Sequence, residues 1–249
     1  MARIVLVHGA FNELWGPHEL KSRWLPALRD GLWHHGVEVA DDDVAVAFYG
    51  DLFRRDPETV DASSWEATRV GVADMLTNVA PVGAIEALGQ AANDAAFDRT
   101  VDMVTTMTTE PDLRERTRQR VADVVGDDCL VLVGHSLGSV VSYNALVANP
   151  GWPVRLLVTL GSPLGSPMVL GSLVETDDDG VGAWPGGVGR WVNVAAVGDR
   201  AAQVARLADH FGARVEDRLV DNGHRAHDPE PYLNARATGE AIAATLAPS

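Results

Sequence analysis

The sequence predicts an α/β protein built on a doubly wound, mostly parallel sheet of six strands. Three observations lead there. Short apolar runs alternate with helix-like segments along the chain. Those runs are apolar along most of their length rather than at every second residue, the pattern of strands covered on both faces. Gly, Ser, Asp and His gather where the runs end, at the carboxyl ends where such sheets hold ligands.

Taken in order, residues 3–7 lead into His8-Gly9, and 44–49 end at Gly50-Asp51. Residues 129–133 end at Gly134, and 154–160 at Gly161-Ser162-Pro163. Residues 190–197 end at Gly198-Asp199, and 213–220 at Asp221-Asn222-Gly223. Helix-like segments lie between them at 18–35, 112–125, 136–148, 201–211 and 230–246. Residues 52–111 break the alternation with helix-like stretches at 64–79 and 82–97, bounded by Pro81 and Pro111. They read as a helical insertion after the second strand, either a cap over the site or a packing elaboration. Residues 176–189, rich in Gly and Asp, read as a surface loop. No linker is visible, so residues 1–249 are read as one domain.

Composition narrows the function. A formal net charge of −15, with Lys21 the only lysine, argues against nucleic acid or anionic lipid as the main partner. The single cysteine, Cys129, excludes a disulfide framework or a cysteine-based zinc site. The N-terminal apolar run is too short for a signal-peptide core, and no stretch is long enough to span a bilayer. These features imply a cytoplasmic protein with no stable membrane insertion. His34-His35 point about 100° apart on a helix, and the acidic runs 41–43 and 177–179 lack the alternating spacing of a calcium loop, so no metal is expected. Without a Gly-x-Gly-x-x-Gly or Walker pattern no nucleotide cofactor is expected either. Trp15 and Trp24 either line an apolar pocket near the mouth or pack as core or surface.

Chemistry is carried by Gly134-His135-Ser136-Leu137-Gly138, a Gly-x-Ser-x-Gly turn from strand to helix. Side chains on the flanking glycines would meet backbone, and the turn lifts the Ser136 hydroxyl to the top of the sheet. A serine nucleophile needs a base, and the base an orienting acid. In the order Ser, Asp, His, the acid belongs at a later strand end. Asp199 lies there, although an Asp at that place also serves as a helix N-cap. The base belongs after the last strand, where His224 and His227 both occur. The oxyanion needs two backbone donors. Leu137 supplies one, and the loop after the first strand the other, with Ala10 the first candidate and Phe11 the next. His8, at the strand end, reads as a brace for that loop.

Together these residues resemble the α/β-hydrolase superfamily, and within it a lipase/esterase-like bacterial group. The likeness rests on Val7-His8-Gly9, Phe48-Tyr49-Gly50-Asp51, the serine turn, Thr159-Leu160-Gly161-Ser162-Pro163-Leu164-Gly165, Trp191-Val192-Asn193, and Asp221-Asn222 through His227 to Tyr232-Leu233. It leaves 52–111 largely uncovered. The resemblance implies an α/β-hydrolase fold, places the acid at Asp199, and favours His227, five residues before Tyr232-Leu233, as base. The loop Ala10-Phe11-Asn12-Glu13-Leu14-Trp15 departs from the polar, Gln-rich loop of that group. The implied activity is cleavage of a carboxylic ester or related acyl bond in a small-molecule substrate, through Ser136, His227 and Asp199, without cofactor. Acyl transfer or thioester cleavage, or a non-catalytic binding module on the same scaffold, are the alternatives.

Overall fold

The computed structural model describes residues 2–10, 12–54, 102–174, 176–202 and 204–247. Six parallel strands form one sheet in the order β2-β1-β3-β4-β5-β6. They are β1 (Ile4–Val7), β2 (Val44–Ala47), β3 (Val131–His135), β4 (Leu156–Leu160), β5 (Arg190–Ala196) and β6 (Val215–Val220). Each overlaps an apolar run read from the sequence. Helices are α1 (Pro17–Trp33), α2 (Pro111–Ala122), α3 (Leu137–Ala148), α4 (Pro167–Ser172), α5 (Ala208–Phe211), α6 (Pro229–Asn234) and α7 (Arg236–Leu246).

Successive strand side chains enter two different cores. Val5, Val7, Leu132, Leu157 and Trp191 pack with Leu137, Val140 and Tyr143 of α3. Ile4, Leu6, Val131, Val133 and Val192 pack with Leu20, Trp24 and Leu28 of α1 and with Leu233 and Ile242 of α6 and α7. Burying one such side chain is worth roughly 1.5–3 kcal/mol, against about 1–2 kcal/mol to fix its backbone. Strands β1, β3, β4 and β5 therefore hold although few of their side chains reach water, while β6 at the sheet edge exposes Arg218 and Leu219. Burial also disposes of Cys129, whose thiol is pushed up to about 11. It acts as a small apolar side chain.

Strand order reverses between β1 and β3. Right-handed crossovers leaving in opposite directions put α1 and α3 on opposite faces, and sheets of this kind hold their ligands at such a reversal. Val7 pairs in register with Gly134, so both loops leave the sheet at one level.

Several elements depart from the sequence reading. The helix read over 201–211 shrinks to Ala208–Phe211. Side chains from the sheet capture the preceding backbone: Asp217 accepts from Leu207 and Ala208 N–H at 2.9 and 3.0 Å, and Asn193 donates to the Ala205 carbonyl at 3.0 Å. The helix read over 230–246 is two, broken at Ala235, where ψ is 134°. Helix α4 was not anticipated, although Ser166 caps it and Pro167 starts it. The loop 176–189 is only half at the surface. Trp184 packs on Trp191 with ring centroids 5.9 Å apart, and Val188 is buried. Most of 52–111 lies outside the described residues. Its end at 102–109 is helical, with Met103, Val104 and Met107 in the core beside α3.

Helices α1 and α7 cross at Gly31 and Gly239. A Cβ on Gly239 would sit 2.0 Å from the Gly31 carbonyl oxygen, and that neighbour is backbone. Gly239→Ala is expected to lower the unfolding free energy by about 1–3 kcal/mol in urea titration. Unchanged stability would mean that the helices cross farther apart.

Candidate active site

Strand β3 ends at His135 and α3 begins at Leu137, so one residue must turn the chain. Ser136 does so at φ 52°, ψ −129°, the only positive φ at a non-glycine among the described residues. Such a conformation costs about 1–3 kcal/mol and persists where its surroundings enforce it. Here the Ser136 N–H donates to the Leu160 carbonyl at 2.9 Å. Its carbonyl accepts the Ser139 hydroxyl at 2.6 Å, and Ser139 Oγ lies 2.6 Å from Ser162 Oγ. Since Ser139 gives its proton to the carbonyl, Ser162 donates to Ser139 and accepts from the Leu164 N–H at 3.2 Å. This buried hydroxyl chain ties the turn to the loop after β4. A Cβ on Gly134 would lie 2.6 Å from the Gly138 carbonyl oxygen, and one on Gly138 only 2.3 Å from the carbonyls of Val7 and His8.

Asp199 follows β5 and His227 follows β6. His227 Nε2 lies 3.0 Å from Ser136 Oγ, and its Nδ1 lies 2.9 and 3.0 Å from the two oxygens of Asp199. His224 is exposed on the turn Gly223–Arg225, away from this arrangement. The Asp199 side chain is wholly buried. Its Oδ1 accepts from the Ala201 and Ala202 N–H groups at 2.9 and 3.4 Å, and its Oδ2 accepts the Tyr232 hydroxyl at 2.5 Å. Tyr232 in turn accepts from the Ala196 N–H at 2.8 Å. Burial alone pushes the Asp199 carboxyl up. His227, Tyr232 and the Ala201 N–H together outweigh it and hold the group below the usual carboxylate range. Asp199 thus both caps the turn after β5 and orients His227.

The loop after β1 passes directly against the serine: a Cβ on Gly9 would lie 2.6 Å from Ser136 Cβ. Ala10 follows, buried, and its carbonyl is held by the Asn12 side-chain amide at 2.9 Å. Phe11 lies outside the described residues. Leu137, at the first position of α3, is buried. His8 stacks on Tyr49 with centroids 4.1 Å apart. Its Nε2 accepts from the Tyr49 N–H at 3.1 Å, so Nδ1 carries the proton and donates to the Gly9 carbonyl at 2.8 Å. Both bonds brace the loop. Trp24 is core, edge-on to His135, rather than pocket lining. Trp15 is partly buried beneath the Arg23 guanidinium, 3.6 Å from its ring centroid.

Among the described residues no group of three or more His, Cys, Asp or Glu is placed to hold a metal ion, and no helix is long and apolar enough to cross a membrane. Sequence reasoning passed over three contributors. Tyr232 sits inside a helix-like segment with nothing to mark its hydroxyl. Ser162 is a plain loop serine. His135 is the variable position of the serine turn.

Burial pushes His8 down to about 4 and His135 down to about 3 from an ordinary 6.5. Each stays neutral in the folded chain and takes up a proton below 6.5 when unfolded. Their contribution is complete above 6.5 and is lost as pH falls toward the folded values. Unfolding free energy measured by urea titration is expected to fall from about pH 7 to pH 5 by roughly 2 kcal/mol per histidine, and His135→Gln to remove about half of that drop. A flat profile would show that neither ring is held neutral.

No protein-family model matches this sequence, and no curated protein matches it as a relative. Among solved structures it is similar to the esterase domain of a Rhodothermus marinus protein, with 13% identity and a TM-score of 0.36, over 97% of this chain and 84% of that one. It is also similar to a hyperthermophilic esterase from the archaeon Pyrobaculum calidifontis, with 14% identity and a TM-score of 0.40, over 98% of this chain and 72% of that one. The chain itself has a doubly wound α/β architecture, six parallel strands in one sheet with helices packed on both of its faces.

Proposed function

We propose that this protein is a serine hydrolase that cleaves a carboxylic ester or related acyl bond in a small-molecule substrate. One observation carries the reading: an unbroken line of hydrogen-bonding atoms from Ser136 Oγ through His227 to the buried Asp199. Neutral His227 accepts the Ser136 hydroxyl proton at Nε2 while its Nδ1–H donates to Asp199. That tautomer is the one a general base needs, and an ionised, water-free Asp199 favours it.

In the proposed cycle Ser136 Oγ attacks the substrate carbonyl as His227 Nε2 takes its proton. The resulting oxyanion is met by the Leu137 N–H, at the start of α3 where the helix dipole is positive, and by the Ala10 N–H. Collapse expels the alcohol, which receives the proton from His227, and leaves an acyl group on Ser136. Water then attacks the acyl group with His227 again as base, releasing the acid and restoring the serine. Every proton in this cycle has a protein group to carry it, so the proposal includes neither metal nor organic cofactor. The chain's net charge of −15 supports a small molecule rather than nucleic acid as the substrate.

A fluorophosphonate is expected to add once to the wild-type protein, read by intact mass, and not at all to Ser136→Ala. A folded wild-type protein without adduct would refute the proposal. Asp199→Asn is expected to lower kcat on p-nitrophenyl esters by roughly 10³–10⁴, because an amide at that place favours the other imidazole tautomer. A loss confined to KM would remove Asp199 from the assigned role.

A further inference from the structure

The loop between β6 and α6 carries His227, yet most of its hydrogen bonds run within the loop or to the start of α6. The Arg225 N–H donates to the Asn222 carbonyl and the Asp228 N–H to the Arg225 carbonyl. The Asn222 side chain donates to the Ala226 carbonyl, the Gly223 N–H to the Asp221 carboxylate, and the Arg225 guanidinium to Asp228 and Glu230. Among the described residues, one hydrogen bond joins the main chain of 221–228 to the body of the protein. His135 Nε2 lies 2.8 Å from the His227 carbonyl oxygen.

The carbonyl can only accept, so His135 Nε2 carries the proton and Nδ1 is a bare lone pair. Among the described residues that nitrogen is buried without a hydrogen-bond partner. An unsatisfied buried acceptor costs stability that an apolar side chain of similar size would not. What the ring supplies that an apolar side chain would not is the proton it donates. Its position sharpens the point, because His135 immediately precedes Ser136 and one dipeptide touches both partners of the proton transfer.

We propose that His135 is a positioning residue, whose Nε2–H clamps the His227 main chain to the serine turn and keeps the imidazole within reach of Ser136 Oγ. This rests on the reading of Ser136 and His227 as nucleophile and base. Burial, which pushes His135 down to about 3, keeps the clamp neutral with its single proton on Nε2.

The test compares His135→Gln with His135→Met, side chains of like length that differ in the terminal donor. The rate of fluorophosphonate labelling is expected to fall between about tenfold and a hundredfold in the Met variant, the cost of a reacting group held slightly out of place. The Gln variant should stay within about threefold of wild type, and the Met variant's KM for a p-nitrophenyl ester within about twofold while kcat falls. The downfield proton resonance of the His227–Asp199 hydrogen bond should broaden in Met and persist in Gln. A Met variant that labels at the wild-type rate overturns the clamp. So does an equal loss in both variants, which would assign the effect to ring shape. Should the Met variant not fold, the Gln variant decides alone, and a drop beyond about tenfold with an unchanged Tm overturns the proposal. Absence of any adduct on wild type is a different failure: it refutes the nucleophile and takes the clamp with it.

Discussion

The arrangement depends on a carboxylate sealed from water. An unpaired charge at the depth of Asp199 would cost several kcal/mol. The chain meets that cost with directed donors: the turn amides of Ala201 and Ala202 on one oxygen, the Tyr232 hydroxyl on the other, and His227 across both. Each donor is fixed by a different element, so satisfying one charge draws the turn after β5, helix α6 and the loop after β6 to a single point. Gly161 leaves that point open, since a Cβ there would lie 2.7 Å from Asp199 Oδ2 and 3.2 Å from His227 Nδ1. Turn, loop and helix geometry at this end of the sheet follow from the needs of one anion.

Against this convergence stands the strained turn at Ser136. It lies at the one place in the sheet where strand order reverses, with the loop after β1 packed directly against it. The same reversal sets α1 and α3 on opposite faces of the sheet, with the Gly9 main chain passing against the serine. Strain at φ 52° is held by bonds to β4 and by the serine chain through Ser139 and Ser162. Fold topology and site geometry are thus the same fact seen at two scales.

What the sequence made legible was whatever depends on local pattern. Strands β1 to β4 could be read because burial on both faces writes an uninterrupted apolar run, β5 and β6 because apolar residues frame their polar ones, and the serine turn because its glycines are required by backbone contacts. The histidine that meets Ser136 could not be chosen from residues alone. His224 and His227 occupy equivalent places in the primary structure, and only the three-dimensional path puts one ring at Ser136 and the other in solvent. The helix over 201–211 failed for the same reason, since Asp217 and Asn193 sit on other elements and their capture of 205–208 leaves no trace in local propensity. Tyr232 was visible as part of a motif but not as a donor. Its hydroxyl meets Asp199 across 33 residues of chain.

Two further histidines show how the site keeps its charge in one place. His8 and His135 flank the serine turn, and burial leaves each neutral. Were either protonated, a second cation would stand near His227 and oppose the charge that His227 would acquire in the proposed proton transfer. Held neutral, each ring gives one proton to a carbonyl, His8 to Gly9 and His135 to His227. The two rings shape the backbone on either side of Ser136 without adding to the field that acts on it. The ionised Asp199 is then the charge closest to His227, and its negative sign is the one that would stabilise an imidazolium there.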